Sequence, residues 1–151
     1  MELGAPIPPL TVSLADGTSL RLSDLPCPAV IYFYPKDDTA GCTREAQAFS
    51  AAGDSFAAAG VSVLGISRDT PASHGKFAAK HALTVALASD DDGSVCEAFG
   101  VWGEKSLYGR TYMGIERATF LFDEDGRLAR AWRRVRVPGH VEAVLAAAQA
   151  L

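Results

Sequence analysis

Between Ile31 and Glu45 the chain reads Ile-Tyr-Phe-Tyr-Pro-Lys-Asp-Asp-Thr-Ala-Gly-Cys-Thr-Arg-Glu, an order that leaves few ways to fold. Ile31 to Tyr34 is a β-branched and aromatic run, the pattern of a buried strand. Pro35 has no N–H for a central ladder, so the strand should stop there. Asp37, Asp38, Thr39 and Gly41 are turn and cap residues, and helix formers follow from Arg44. The stretch therefore predicts strand, polar loop and helix, with Cys42 in the first helical turn. Free N–H groups and the helix dipole favour a thiolate there. Against that stands the ordinary fate of a free cysteine, which is to be a small buried hydrophobe.

The rest of the chain extends this unit. Leu10–Leu14 and Thr18–Leu22 alternate apolar and polar residues around Asp16-Gly17, predicting a β-hairpin. Ala29–Tyr34 is the first core strand, and one helix should run from about Cys42 to Ala59 on the stripe Ala46, Phe49, Ala52 or Gly53, Phe56 and Ala59. Val61–Ser67 predicts a second strand, Pro71–His81 a helix, Leu83–Ser89 a third strand, and a short helix follows through Cys96 and Phe99. Strands alternating with helices imply parallel pairing with right-handed crossovers. Val101–Glu116 has no clear period and reads as a long loop. Ala118–Phe122 and Leu128–Val135 should form a second hairpin, and Pro138 should open a closing helix that runs through Ala147. The order is that of a thioredoxin-like α/β fold: a central mixed sheet flanked by helices, with an N-terminal hairpin. At 151 residues and 48% hydrophobic, residues 1–151 are expected to make a single domain.

The same order carries a resemblance. Pro35-x-x-x-Thr39-x-x-Cys42 is similar to the peroxidatic motif of the peroxiredoxins, and Tyr32–Glu45 resembles their Q-type branch, the bacterioferritin comigratory proteins. The likeness resumes at Asp69–Phe77, Gly100–Lys105 and Gly114–Phe120, and so spans nearly the whole chain. It implies a thiol peroxidase in which Cys42 attacks a peroxide oxygen and becomes a sulfenic acid. Thr39 and Arg117 would orient the peroxide, and Pro35 would shield the sulfur. Read from the residues alone, Thr39 is equally the N-cap of the helix and Arg117 a strand-end cation. Glu45 reads either as a first-turn acid or as a partner for an arginine. His74 and His140 recur in the family, but solvated or helix-terminal roles are expected of them.

Departures from the family pattern bear on the cycle. Gln47 stands where many Q-type members carry a resolving cysteine, and Ser73–His81 contains none; Ala40 replaces a usual proline. Cys27 precedes the first core strand while Cys42 follows it, which separates them by roughly 20 Å. Cys96 is either a core residue or a resolving cysteine that reaches Cys42 after the helix ends rearrange. The favoured expectation is a one-cysteine cycle on hydrogen peroxide and small organic hydroperoxides. Its reductant would be an external thiol such as thioredoxin, glutaredoxin or glutathione. A two-cysteine cycle through Cys96 and a peroxide-sensing thiol protein are the alternatives. A dithiol oxidoreductase is disfavoured because no Cys-x-x-Cys occurs.

Charge and composition exclude other classes. A net charge of −4 supplies no basic field for nucleic acid, and Arg130–Arg136 alternates as the solvated side of a strand would. No apolar run approaches the roughly 20 residues needed to span a bilayer, and Met1–Pro6 has no signal-peptide pattern. Three unpaired cysteines suit a reducing cytoplasm. No metal or cofactor motif is present, and the chain is expected as a monomer or a dimer.

Overall fold

The computed structural model describes residues 1–151. Its centre is β3 (Ala29–Phe33), every residue of which is buried. Val30 and Tyr32 point into one layer, Ile31 and Phe33 into the other. A strand covered on both faces has no polar side to alternate with, so its sequence is continuously apolar. β3 pairs in parallel with β4 (Ser62–Ser67), which pairs in parallel with β5 (Ala86–Ser89). The crossovers are α1 (Ala40–Ala51) with α2 (Gly53–Ala58), and α3 (Pro71–His81).

Antiparallel hairpins extend both edges. β1 (Thr11–Leu14) and β2 (Ser19–Arg21) add at β5, while β8 (Ala118–Phe122) and β9 (Leu128–Trp132) add at β3. The seven-stranded order is β2-β1-β5-β4-β3-β8-β9, a mixed sheet with an N-terminal hairpin, as expected. One layer packs Tyr32 of β3 with Phe49, Phe56, Phe77 and Val144 from α1, α2, α3 and α5 (His140–Gln149). The other packs Phe33, Leu64, Val95, Phe99 and Phe120 around α4 (Ser94–Ala98). No helix is long and apolar enough to cross a membrane.

Five expectations need correction. The helix after Cys42 is two helices, broken at Ala52 (φ −88°, ψ 2°). The break falls where the apolar stripe is ambiguous between Ala52 and Gly53, and it lets Phe56 come back against Phe49, 5.9 Å between centroids. Residues 101–116 are no loop but a two-stranded hairpin, β6 (Trp102–Leu107) and β7 (Arg110–Ile115). Tyr108 and Gly109 turn it with φ of +51° and +77°, the left-handed pair of a tight hairpin turn. Both strands stand largely in solvent, so no buried face imposed a period on the sequence.

The third strand starts at Ala86 rather than Leu83, because the N–H groups of Thr84 and Val85 donate to Ser50 Oγ instead of to a ladder. The closing helix starts at His140 after left-handed Gly139 (φ +76°), leaving Pro138 outside it. The second hairpin ends at Trp132, where Arg130 lies over the indole ring at 4.6 Å.

Candidate active site

The loop Tyr34–Thr39 leaves the carboxyl end of β3, the edge where sites gather in parallel sheets. Thr39 takes the N-cap backbone conformation (φ −88°, ψ 156°) but makes no capping bond. Its hydroxyl donates to the Lys36 carbonyl at 2.9 Å, and the donor on the sulfur is Arg117 rather than Thr39. Cys42 is the third residue of α1 and only 2% exposed.

Arg117, directly before β8, reaches across to α1. Its Nη2 donates to Cys42 Sγ at 3.2 Å and its Nη1 to Glu45 Oε1 at 2.7 Å. The planar fork of a guanidinium can serve two acceptors at fixed separation, which an ammonium cannot do. Gly41 makes room for it, since a Cβ there would stand 3.2 Å from Nη2.

Glu45 is the sixth residue of α1 and fully buried, so it is the arginine's partner and not a first-turn acid. Burial pushes its carboxyl up to about 7, with Arg117 pulling the other way. Burial also opposes charge on Arg117, but the attraction of Glu45 and Cys42 outweighs it and the guanidinium stays cationic. In the unfolded chain Glu45 titrates near its ordinary 4.5, so the folded form holds the proton more tightly. Its contribution to stability is therefore full below pH 4.5 and is lost as pH rises through about 7. Glu45→Gln should flatten the wild-type fall in stability between pH 5 and pH 8, measured as urea midpoints. An equally steep fall in the variant would show that another group is responsible.

Behind the loop is a buried polar cluster that the sequence did not announce. Asp37 was expected as a plain turn residue, yet it is 7% exposed and accepts from Tyr34 Oη at 2.6 Å and Ser73 Oγ at 2.7 Å. His74 is fully buried beside it in the first turn of α3, so of the two roles expected of it, solvated or helix-terminal, the solvated one is corrected. The available signals were Tyr34-x-x-Asp37 and the Ser73-His74 pair near the start of α3, both polar residues beside apolar runs. His140 is at a helix start as expected, with Nε2 2.7 Å from Thr119 Oγ1; burial, then Arg117, draws it down to about 4.

The cysteines do not come together. All three are free thiols. Cys96 is in α4, fully buried among Phe33, Phe99 and Phe120, whereas Cys42 packs with Tyr32 and Phe49 on the opposite face of the sheet. Burial, then Asp90, pushes the Cys96 thiol far up, the reverse of what a reactive sulfur needs.

A groove of about 610 Å³ opens beside the site between Pro35, Arg117, Val135 and the β6–β7 residues Trp102 and Lys105. A larger cavity of about 850 Å³, lined by Pro28, Ala58, Asp123 and Ala148, is at the far end of β3 and touches none of these groups. A sulfur at a helix start, a cationic fork and an adjoining groove together suit attack on a small electrophile whose leaving group departs as an anion.

Residues 3–131 match the model of the AhpC/TSA family. The chain is 46% identical over 151 residues to the peroxiredoxin Bcp of Xanthomonas campestris pv. campestris, covering 99% of this chain and 94% of that one. It is 44% identical to peroxiredoxin Bcp of Bacillus subtilis over 146 residues, 96% of this chain and 93% of the relative. Among solved structures it superposes on the X. campestris bacterioferritin comigratory protein, studied for alkyl peroxide reduction, with a TM-score of 0.90 and 44% identity. That match covers 99% of this chain and 98% of the other. The Xylella fastidiosa peroxiredoxin Q gives 0.93 at 40% identity, covering 99% and 96%. An Arenicola marina peroxiredoxin 6, at 18% identity and 0.83 over 99% of this chain and 74% of that one, shares the fold.

Proposed function

The chain belongs to the AhpC/TSA family of peroxiredoxins and is a thiol peroxidase, and from that premise we propose that Cys42 is its peroxidatic nucleophile. The observation that carries the assignment is the Arg117 fork, one arm on Cys42 Sγ and the other on the buried Glu45. A cation fixed against the sulfur stabilises its thiolate and then the charge that develops on the leaving oxygen. The thiolate attacks one peroxide oxygen in line with the O–O bond. An S–O bond forms, the O–O bond breaks, and the departing oxygen takes a proton and leaves as water or an alcohol. The product is a sulfenic acid, the reversible first rung of cysteine oxidation.

Pro35 lines the groove, and the Thr39 hydroxyl, its proton held on the Lys36 carbonyl, keeps its lone pairs to accept from an incoming peroxide. Hydrogen peroxide and small organic hydroperoxides are the substrates this groove suits, and the alkyl peroxide activity of the X. campestris relative supports the second class. The reading extends to residues 1–151 acting as one domain in the cytoplasm. An external thiol of the thioredoxin, glutaredoxin or glutathione kind closes the cycle. It condenses with the sulfenic acid to a mixed disulfide with loss of water, and a second thiol then releases Cys42. A one-cysteine cycle is favoured because the sheet stands between Cys42 and Cys96.

Intact mass after one equivalent of hydrogen peroxide, with a sulfenic-acid trap present, tests the cycle in wild type, Cys27→Ser and Cys96→Ser. One trap adduct, mapped to the Cys42 peptide in all three, is the expected result. An adduct-free wild type that loses two hydrogens, with the loss absent from Cys96→Ser, would establish the two-cysteine cycle instead.

A further inference from the structure

The loop that presents Cys42 is tied to α3 by a buried cluster with no part in the chemistry described above. Asp37, in the middle of that loop, has its side chain 4% exposed, and the side chain of His74 is not exposed at all. His74 Nε2 is 3.0 Å from the Ala88 carbonyl oxygen, which only accepts. His74 Nδ1 is 2.8 Å from Asp37 Oδ2 and 3.0 Å from Oδ1. Tyr34 Oη is 3.2 Å from the same nitrogen, but its one proton goes to Asp37 Oδ1 at 2.6 Å. Each ring nitrogen thus faces an oxygen acceptor, so the ring is gripped from both sides, between the loop and β5. Burial works against a charged Asp37, yet hydrogen bonds from His74, Tyr34 and Ser73 hold its carboxyl below the usual carboxylate range.

The backbone is held with the side chain. Asp37 N donates to Asp69 Oδ2 at 2.9 Å, an oxygen that also accepts from Ser67 Oγ at 2.7 Å. The Thr39 hydroxyl bonds the Lys36 carbonyl, closing the chain around Asp37 one residue before α1 begins. At the surface, Asp38 (φ +60°) meets Lys80 Nζ at 2.6 Å and His81 Nε2 at 2.7 Å, both from the last turn of α3. The loop is therefore fastened to α3 at both ends of that helix, and the inner fastening is charged and enclosed.

We propose that His74 is a positioning residue for the peroxidase reaction: by clamping Asp37 it fixes the start of α1, and so the 3.2 Å approach of Cys42 Sγ to Arg117. Arg117 comes from before β8 on the other side of the active site, so its distance to the sulfur depends on where α1 begins. Neither His74 nor Asp37 touches substrate in this account. Their effect passes through the geometry of the loop, and misplacement of a reacting group by about 1 Å can cost up to about a hundredfold in rate.

The inference rests on Cys42 being the nucleophile, and the test separates the two. In wild type, His74→Gln and Ser73→Ala, two quantities are read at a temperature where circular dichroism shows each protein folded. One is the rate of Cys42 oxidation by hydrogen peroxide. The other is the pH midpoint of Cys42 alkylation by iodoacetamide, which needs no peroxide. Ser73→Ala deletes the 2.7 Å bond to Asp37 and spares the Thr70 cap, which binds the Ser73 backbone N–H. The expected result for His74→Gln is a fall of roughly tenfold to a hundredfold in oxidation rate, with the alkylation midpoint moved upward. Ser73→Ala should move both readings the same way by less. A lost fold alone moves neither in the folded fraction. Wild-type values of both in folded His74→Gln overturn the proposal; if that variant does not fold, wild-type values in Ser73→Ala overturn it. A wild type that peroxide does not oxidise at Cys42 overturns the peroxidatic assignment itself.

Discussion

Cys42→Ser should fold normally and consume peroxide no faster than the reductant does alone, a loss on the order of 10⁴-fold or more for removal of a nucleophile. The change is small in volume, and the buried hydroxyl keeps Arg117 Nη2 as a hydrogen-bond partner, so stability should fall by no more than about 1–3 kcal/mol. The chemistry is what disappears. A serine hydroxyl stays protonated at neutral pH even beside Arg117, and its oxygen has no counterpart of the sulfenic acid. Peroxide consumption coupled to an external thiol, followed with Cys27→Ser and Cys96→Ser as companions, is the measurement. Activity surviving in Cys42→Ser but lost in either companion would move the nucleophile and undo the reading of the site.

Much of the fold was legible because burial on two faces leaves a strong mark. Ala29–Phe33 and Val63–Ile66 are runs without a charged or strongly polar residue, and the parallel order follows from the helices between the strands. The β6–β7 hairpin was not legible, because its strands bury almost nothing and a solvated ribbon needs no alternation. The break at Ala52 was hidden for a related reason: alanine and glycine fit either phase of a stripe. At the site, Cys42 and Arg117 could be read only through motif likeness, since a cysteine at a helix start and an arginine before a strand each have ordinary explanations. Nothing in the spacing of Glu45 chose between its two roles until the helix start was fixed at Ala40. Asp37 and His74 were unreadable for a different reason. Turn aspartates and surface histidines are common, and only the meeting of the loop with α3 makes them a buried pair.

Arg117→Met should slow Cys42 oxidation by about 10²- to 10³-fold, the usual loss when a fixed donor to a developing anion is removed. It should also expose how the site is balanced. Methionine leaves Glu45 buried with neither oxygen partnered, since Oε2 has no partner even in the wild type. Stripping one partner from a buried ion pair costs about 3–5 kcal/mol when the remaining charge must stay. Glu45 can escape part of that cost by holding its proton, because burial already lifts it to about 7 with the arginine present. The folded-state value then lies still further above the unfolded 4.5, so the variant should be least impaired at acid pH and lose stability as pH rises past neutrality. Adding Glu45→Gln to Arg117→Met removes the stranded carboxylate and should restore most of the stability at pH 8 with no recovery of rate. Arg117→Lys keeps the charge without the fork and should fall between, because one ammonium cannot hold both Glu45 Oε1 and Cys42 Sγ at their observed distances. Stopped-flow oxidation rates and urea midpoints at pH 5 and pH 8 read both halves. A single Arg117→Met variant within threefold of wild type in rate would mean that the guanidinium serves only to neutralise Glu45, and that the sulfur draws its reactivity from the helix start alone.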